Sequence, residues 1–178
     1  MDADALKRLV ERELETVGDP RVLAAIRALL TEPKLIMRGW DYGEPGQQFA
    51  CWTVLDDAAG SDTAIVYCDE GFGPSMPWGL VWTGGDDNGA PASMGMDGGW
   101  FFTLAEAFYE SFPATQLPIW RVYEIAEDGS SFAISDEGDW DPAWALCRVL
   151  REQNPSKRYT VDAAPRDDMG ERLWLEQA

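Results

Sequence analysis

The chain holds no histidine among its 178 residues. That removes the side chain most often used to move protons near neutral pH. Ser-His-Asp and Cys-His arrangements are excluded. A zinc site has neither histidine nor paired-cysteine spacing to draw on. The cysteines, Cys51, Cys68 and Cys147, are odd in number and widely spaced, so they form no disulfide framework. Cys51 and Cys68 fall in segments that read as neighbouring strands, and all three cysteines read as small buried hydrophobes.

Carboxylates are the remaining chemistry. Three stretches mix acids, aromatics and turn formers: Trp40-Asp41-Tyr42-Gly43-Glu44, Asp69-Glu70-Gly71-Phe72 running on to Trp78, and Met94-Gly95-Met96-Asp97 running on to Trp100. Loops of this kind mounted on a sheet often carry binding function. They are also how tryptophan-anchored turns pack. Asp41, Tyr42, Glu44, Asp69, Glu70, Phe72, Trp78, Asp97 and Trp100 are therefore the candidate partner-binding residues. The same acids beside Trp40, Trp78 and Trp100 could also serve a carboxylate-pair hydrolase of the glycosidase type. Any acidic, tryptophan-rich chain offers such pairs. Gly71-Phe72-Gly73 has neither the GxGxxG pattern nor a Walker lysine, and Asp69 and Glu70 would repel phosphate. Asp86-Asp87-Asn88-Gly89 lacks the EF-hand spacing. No cofactor and no metal is expected.

The charge is segregated. The net charge is −18. Residues 1–38 hold seven acids and seven bases, and residues 148–178 hold six of each. Residues 39–147 hold nineteen acids and one base, Arg121. Such a chain is unsuited to nucleic-acid backbone, which needs Lys and Arg against its phosphates, and to anionic membrane surfaces. It suits a basic protein partner, because complementary charge speeds encounter. The acidic N-terminus, Met1-Asp2-Ala3-Asp4, is unlike a secretory signal, so a cytoplasmic location is expected.

The elements that must position these loops read as one α+β domain over residues 1–178. Leu6, Leu9, Val10, Leu14 and Val17 recur at helical spacing before Gly18. Asp19-Pro20 reads as an N-cap with a first-turn proline. The second helix carries Val22, Ala25, Ile26, Leu29 and Leu30 to a stop at Thr31-Glu32-Pro33, completing a helical hairpin over 1–33. A β-rich acidic core spans 34–135. Strands are expected over 35–40, 49–55, 63–69, 78–83, 119–125 and 131–135, with a flexible run over 84–99. Thr103-Leu104-Ala105-Glu106 matches a capping box and opens a helix closed by Pro113. Asp141-Pro142 opens another helix over 141–153, burying some of Ala143, Trp144, Leu146, Cys147 and Leu150 before Asn154-Pro155. Residues 158–162 make a short strand within a C-terminal tail over 158–178. The expected fold is an N-terminal helical hairpin on a mainly antiparallel sheet of five or six strands, with two further helices.

A small, acidic, tryptophan-rich α+β chain without a catalytic motif resembles, in general character, the immunity proteins that neutralise bacterial toxins. The resemblance rests on no motif residue, so it transfers no site. It implies a non-catalytic inhibitor that masks a cationic toxin.

Overall fold

The computed structural model describes residues 1–40, 42–57, 60–71, 75–84, 93–95 and 99–163. They belong to two compact units, Met1–Ala114 and Thr115–Ala178. The fold is α+β, with a five-stranded antiparallel sheet and a three-stranded sheet.

In the first unit, helix α1 spans Ala3–Leu14 and buries Leu6, Val10 and Leu14, the apolar stripe its spacing dictates. Asp2 caps it by accepting the Ala5 N–H at 2.8 Å. Helix α2 spans Pro20–Leu29, with Asp19 at the cap and Pro20 in the first turn. Arg27 of α2 reaches Glu11 of α1 at 3.1 Å.

Asp19 does more than cap. Its Oδ1 accepts the Arg21 backbone N–H at 2.8 Å, and its Oδ2 meets the Arg21 guanidinium at 2.6 Å. Burial alone would raise its pKa, but the side-chain and backbone hydrogen bonds from Arg21 outweigh burial and hold it below the ordinary Asp value. A carboxylate held low in the folded state stabilises it above the ordinary Asp range. That contribution is lost as the pH falls through the lowered value. Asp19→Ala is expected to cost about 0.5–2 kcal/mol at neutral pH. Urea unfolding should show the gap between wild type and variant shrinking in acid, and an undiminished gap would refute this account.

Strands β1 to β5 span Leu30–Arg38, Phe49–Asp57, Thr63–Tyr67, Trp78–Trp82 and Trp100–Phe101, and neighbours in sequence pair in that order. The expected helix end at Thr31-Glu32-Pro33 is overturned, because β1 begins at Leu30, which pairs with Leu55. Pro33 is tolerated there because β1 is an edge strand and its register shifts between Leu30 and Lys34. β5 falls where the flexible run was expected to give way to a helix start. It pairs Trp78 with Phe101 and Gly79 with Trp100.

Both faces of this sheet carry buried residues. Cys51, Ala64, Val66, Cys68, Val81, Met94 and Trp100 form one buried cluster, with Trp40, Phe49 and Met76 packed against it. Across the sheet, Trp52, Tyr67 and Trp78 stand opposite one another in register. There Tyr67 and Trp78 meet edge to face, with ring centres 5.1 Å apart. Glu13 of α1 accepts the Leu104 N–H at 3.1 Å.

The capping box forms as expected. Thr103 accepts the Glu106 N–H at 3.1 Å, and Glu106 accepts the Thr103 N–H at 3.1 Å. Helix α3 spans Leu104–Tyr109. Pro113 does not close it; that proline lies in the first turn of a separate short helix, α4, Phe112–Thr115, where its missing N–H costs nothing.

In the second unit, β6 (Trp120–Ile125) lies between β7 (Ser131–Ala133) and β8 (Arg158–Ala163). The Asp128-Gly129 turn makes the β6–β7 hairpin, and Ala126 donates to the Ser130 carbonyl at 2.8 Å. Helix α5 spans Trp140–Gln153, so its cap position is Asp139, and Asp141 lies inside the first turn. α5 buries Ala143 and Cys147, while Trp144 and Leu146 stay exposed. Trp120, Trp140 and Trp144 form an aromatic series, with centres 4.6 and 5.9 Å apart. Arg151 lies over the Trp144 ring at 5.6 Å. Arg121 sits on β6 and pairs with Glu137 at 3.4 Å. Residues 164–178, the last part of the expected tail, lie outside the described residues. Among the described residues, no helix is long and apolar enough to cross a membrane.

Candidate functional site

Two of the three candidate loops leave the same end of the five-stranded sheet. β1 and β3 are both antiparallel to β2, so they run in one direction. The chain therefore exits β1 into residues 39–48, and β3 into residues 68–77, at a common end. Met94 reaches the first of these loops, donating its N–H to the Gly39 carbonyl at 2.9 Å.

In the first loop, Trp40 is half-buried against the core, and Tyr42 packs edge-on to it at 6.0 Å. Tyr42 is itself 68% exposed. Glu44 is exposed in a turn where Gln47 donates to its carbonyl at 2.9 Å and the Gln47 side chain accepts its N–H at 3.2 Å.

In the second loop, Asp69 Oδ2 meets the N-terminal amine of Met1 at 2.9 Å, and Oδ1 accepts the Tyr67 hydroxyl at 3.1 Å. The amine's hydrogen bond, aided by the Tyr67 hydroxyl, holds the Asp69 carboxyl below its ordinary value against the opposing effect of burial. Burial and the neighbouring Asp69 push the Tyr67 phenol up to about 12. Glu70 beside it is exposed. Tyr67 was not among the candidates. Its place two residues from Asp69 at a strand end was the available signal.

Two of the candidate partner-binding residues, Trp78 and Trp100, lie in the core, 1% and 4% exposed. Trp78 is roofed by Glu13, whose carboxylate accepts a hydrogen bond from it. Trp100 lies on the opposite face, its indole N–H donating to the Met94 carbonyl at 3.0 Å. Neither can touch a partner in this conformation. The exposed tryptophan among this unit's described residues is Trp82, at 64%. Asp41, Phe72 and Asp97 lie outside the described residues. The structure thus brings together Tyr42, Glu44, Asp69 and Glu70 at one end of the sheet.

A hollow in the first unit lies elsewhere, lined by Leu29, Leu55, Asp57, Thr63, Ile65 and Phe108 among others. Its volume is about 10 Å³, the room of roughly one water. It carries one carboxylate, Asp57, which accepts the Ser61 hydroxyl at 2.5 Å. A carboxylate-pair hydrolysis needs two acids flanking a sugar, and this hollow supplies one acid and no room. Among the described residues, no three His, Cys, Asp or Glu side chains gather as a metal site.

Both units carry excess acid. Residues 1–114 hold nineteen acids against seven bases, net −12, and residues 115–178 hold thirteen against seven, net −6. Some of the acids in 39–147 are met by cations from the chain's ends, as Asp69 is by the Met1 amine and Glu124 is by Lys157 at 2.9 Å. Exposed pairs of this kind are worth little.

No protein-family model, curated protein or solved structure matches the chain.

Proposed function

We propose that the protein is a non-catalytic binding protein whose acidic surface engages a basic protein partner, in the manner of an immunity-type inhibitor that masks the nucleic-acid cleft of a cationic bacterial toxin. The observation that carries this reading is the shared end of the five-stranded sheet, from which leave both the loop that carries Glu44 and the exposed Tyr42 and the loop that carries Asp69 and the exposed Glu70. The carboxylates would meet the partner's Arg and Lys, and Tyr42 would supply a contact that loses its water. The single base among the nineteen acids of residues 39–147 supports the same reading, since a field of one sign steers an oppositely charged partner.

The immobilised protein, exposed to lysate of its native host, is expected to retain a basic protein that elutes as salt rises. The Glu44→Lys/Glu70→Lys variant should retain far less of it. For the purified pair, the association rate should fall by about tenfold or more between low and high salt, because exposed charges are screened. Tyr42→Ala should act mainly on dissociation. An association rate indifferent to salt, or unchanged by the two charge reversals, would overturn the reading.

A further inference from the structure

Cys51 and Cys68 belong to the covered face of the sheet, and neither is more than 1% exposed. Their placement follows from strand register. Trp52 pairs with Tyr67, and one step further the same register sets Cys51 opposite Cys68. Cys68 donates its N–H to the Pro77 carbonyl at 2.9 Å, on the β4 side, continuing the pair Tyr67 and Trp78. In an antiparallel sheet, a residue that turns its hydrogen-bonding groups towards one neighbour faces the other as a non-hydrogen-bonded pair. Such pairs hold their Cα atoms about 4.5 Å apart with side chains close, within the span a disulfide bridges. The two thiols are free and in hydrogen-bonding contact.

The surroundings treat the two sulfurs differently. The Cys68 sulfur accepts from Cys51 and from the backbone N–H groups of Glu70 and Gly71. Those amides are turned inward by a tight bend. Gly71 has φ +39°, and a Cβ there would lie 2.3 Å from the Met76 carbonyl oxygen, so the bend requires glycine. Arg38, 2% exposed, faces the same compartment from β1 and donates to the Trp82 carbonyl at 3.1 Å. Glu70 is the nearby opposing charge. The hydrogen bond from Cys51, with the two amides, draws the Cys68 thiol down despite burial. The same hydrogen bond, with burial, pushes Cys51 up against the pull of Arg38. Cys147, buried on α5, is pushed up by burial.

We propose that Cys51 and Cys68 are an oxidation site, a cross-strand dithiol that a hydroperoxide converts into an intramolecular disulfide, with Cys68 attacking and Cys51 resolving. The Cys68 thiolate attacks one peroxide oxygen and breaks the O–O bond. Cys68 becomes a sulfenic acid, and the other oxygen leaves and takes a proton, as water from hydrogen peroxide or as an alcohol from an organic hydroperoxide. The Cys51 sulfur then attacks the Cys68 sulfur. The S–S bond forms, the S–O bond breaks, and the hydroxyl departs as water with the Cys51 proton. The two thiols give two electrons and the peroxide takes them.

The test uses the full chain, folded, with hydrogen peroxide as the probe. The reaction is quenched by alkylation in denaturant, and the products are read by intact mass and peptide mapping. The expected product has lost two hydrogens, carries a Cys51–Cys68 link that dithiothreitol reverses, and keeps Cys147 alkylated. Cys68 should react about tenfold or more faster than Cys147, because the hydrogen bond from Cys51 and the two amides favour its thiolate while burial disfavours that of Cys147. In Cys51→Ser, Cys68 should stop at a sulfenic acid that dimedone traps; in Cys68→Ser, Cys51 should stay a thiol. A link that forms only after unfolding, a link through Cys147, or Cys147 oxidising first would each overturn the proposal, and the wild-type mapping decides this even where a variant fails to fold.

Discussion

Trp78→Ala is expected to cost about 3–5 kcal/mol, the usual penalty for emptying a large aromatic site in a core. Total stabilities run to about 5–15 kcal/mol, so the variant should be marginal or unfolded. The reason is packing. Trp78 is 1% exposed, lies across from Tyr67 and Phe101 on neighbouring strands, and makes a T-shaped ring contact with Tyr67. Its loss would also strip the Glu13 carboxylate, half-buried above it, of a donor, adding the penalty of an unsatisfied polar group. Denaturant unfolding measures this directly. A contact residue on a partner-facing surface would behave in the opposite way, leaving stability within about 0.5 kcal/mol of wild type. That result would return Trp78 to the binding surface and refute its assignment to the core.

Gly79→Val should be the next most damaging change. A Cβ at this position would lie 2.7 Å from the Trp100 ring, a distance real contacts do not reach. The ring has little freedom to yield, because it is 4% exposed and its N–H is held by the Met94 carbonyl at 3.0 Å. Overpacking of this kind costs about 1–3 kcal/mol, occasionally more. A double-mutant cycle separates clash from strand propensity. In a Trp100→Ala background the valine has room, so its cost should fall, giving a coupling of about 0.5–3 kcal/mol. Additive effects of the two substitutions would show that the close approach of Gly79 and Trp100 is not what limits this site.

Local chemistry was readable from the chain. The cap and proline at Asp19-Pro20, the capping box at Thr103 and Glu106, and the Asp128-Gly129 hairpin are all decided within a few residues, and each forms as its residues dictate. What depends on distant partners was not. Leu30 continues the helical spacing of α2, yet pairing with Leu55 takes it into β1. Trp100 and Phe101 make a strand only because Gly79 and Trp78 stand beside them. The candidate site divides in the same way. Acidic turns after β1 and β3 are visible as composition, and their shared end follows once strand order is known. Which tryptophans stay outside is not visible. Trp78 and Trp82 stand four apart on β4 and so share one face, and alternation alone cannot tell Trp78, which is buried, from Trp82, which is exposed. The tie between Asp69 and the N-terminal amine spans 68 positions, and nothing local announces it.

The proline in β1 has a consequence beyond shape. A highly charged chain normally keeps its copies apart by repulsion, and acid removes that protection near the isoelectric pH of about 4.1, where enough carboxylates are neutralised to balance the bases. What then guards against strand-to-strand zippering is the build of the sheet's two end strands. One border carries Pro33, which offers no N–H, next to Lys34 and a break in register; the other is only two residues long. Each is a poor template for an incoming strand. Pro33→Val would complete the first border, and fibril growth in acid, followed by thioflavin fluorescence, is where that change should appear.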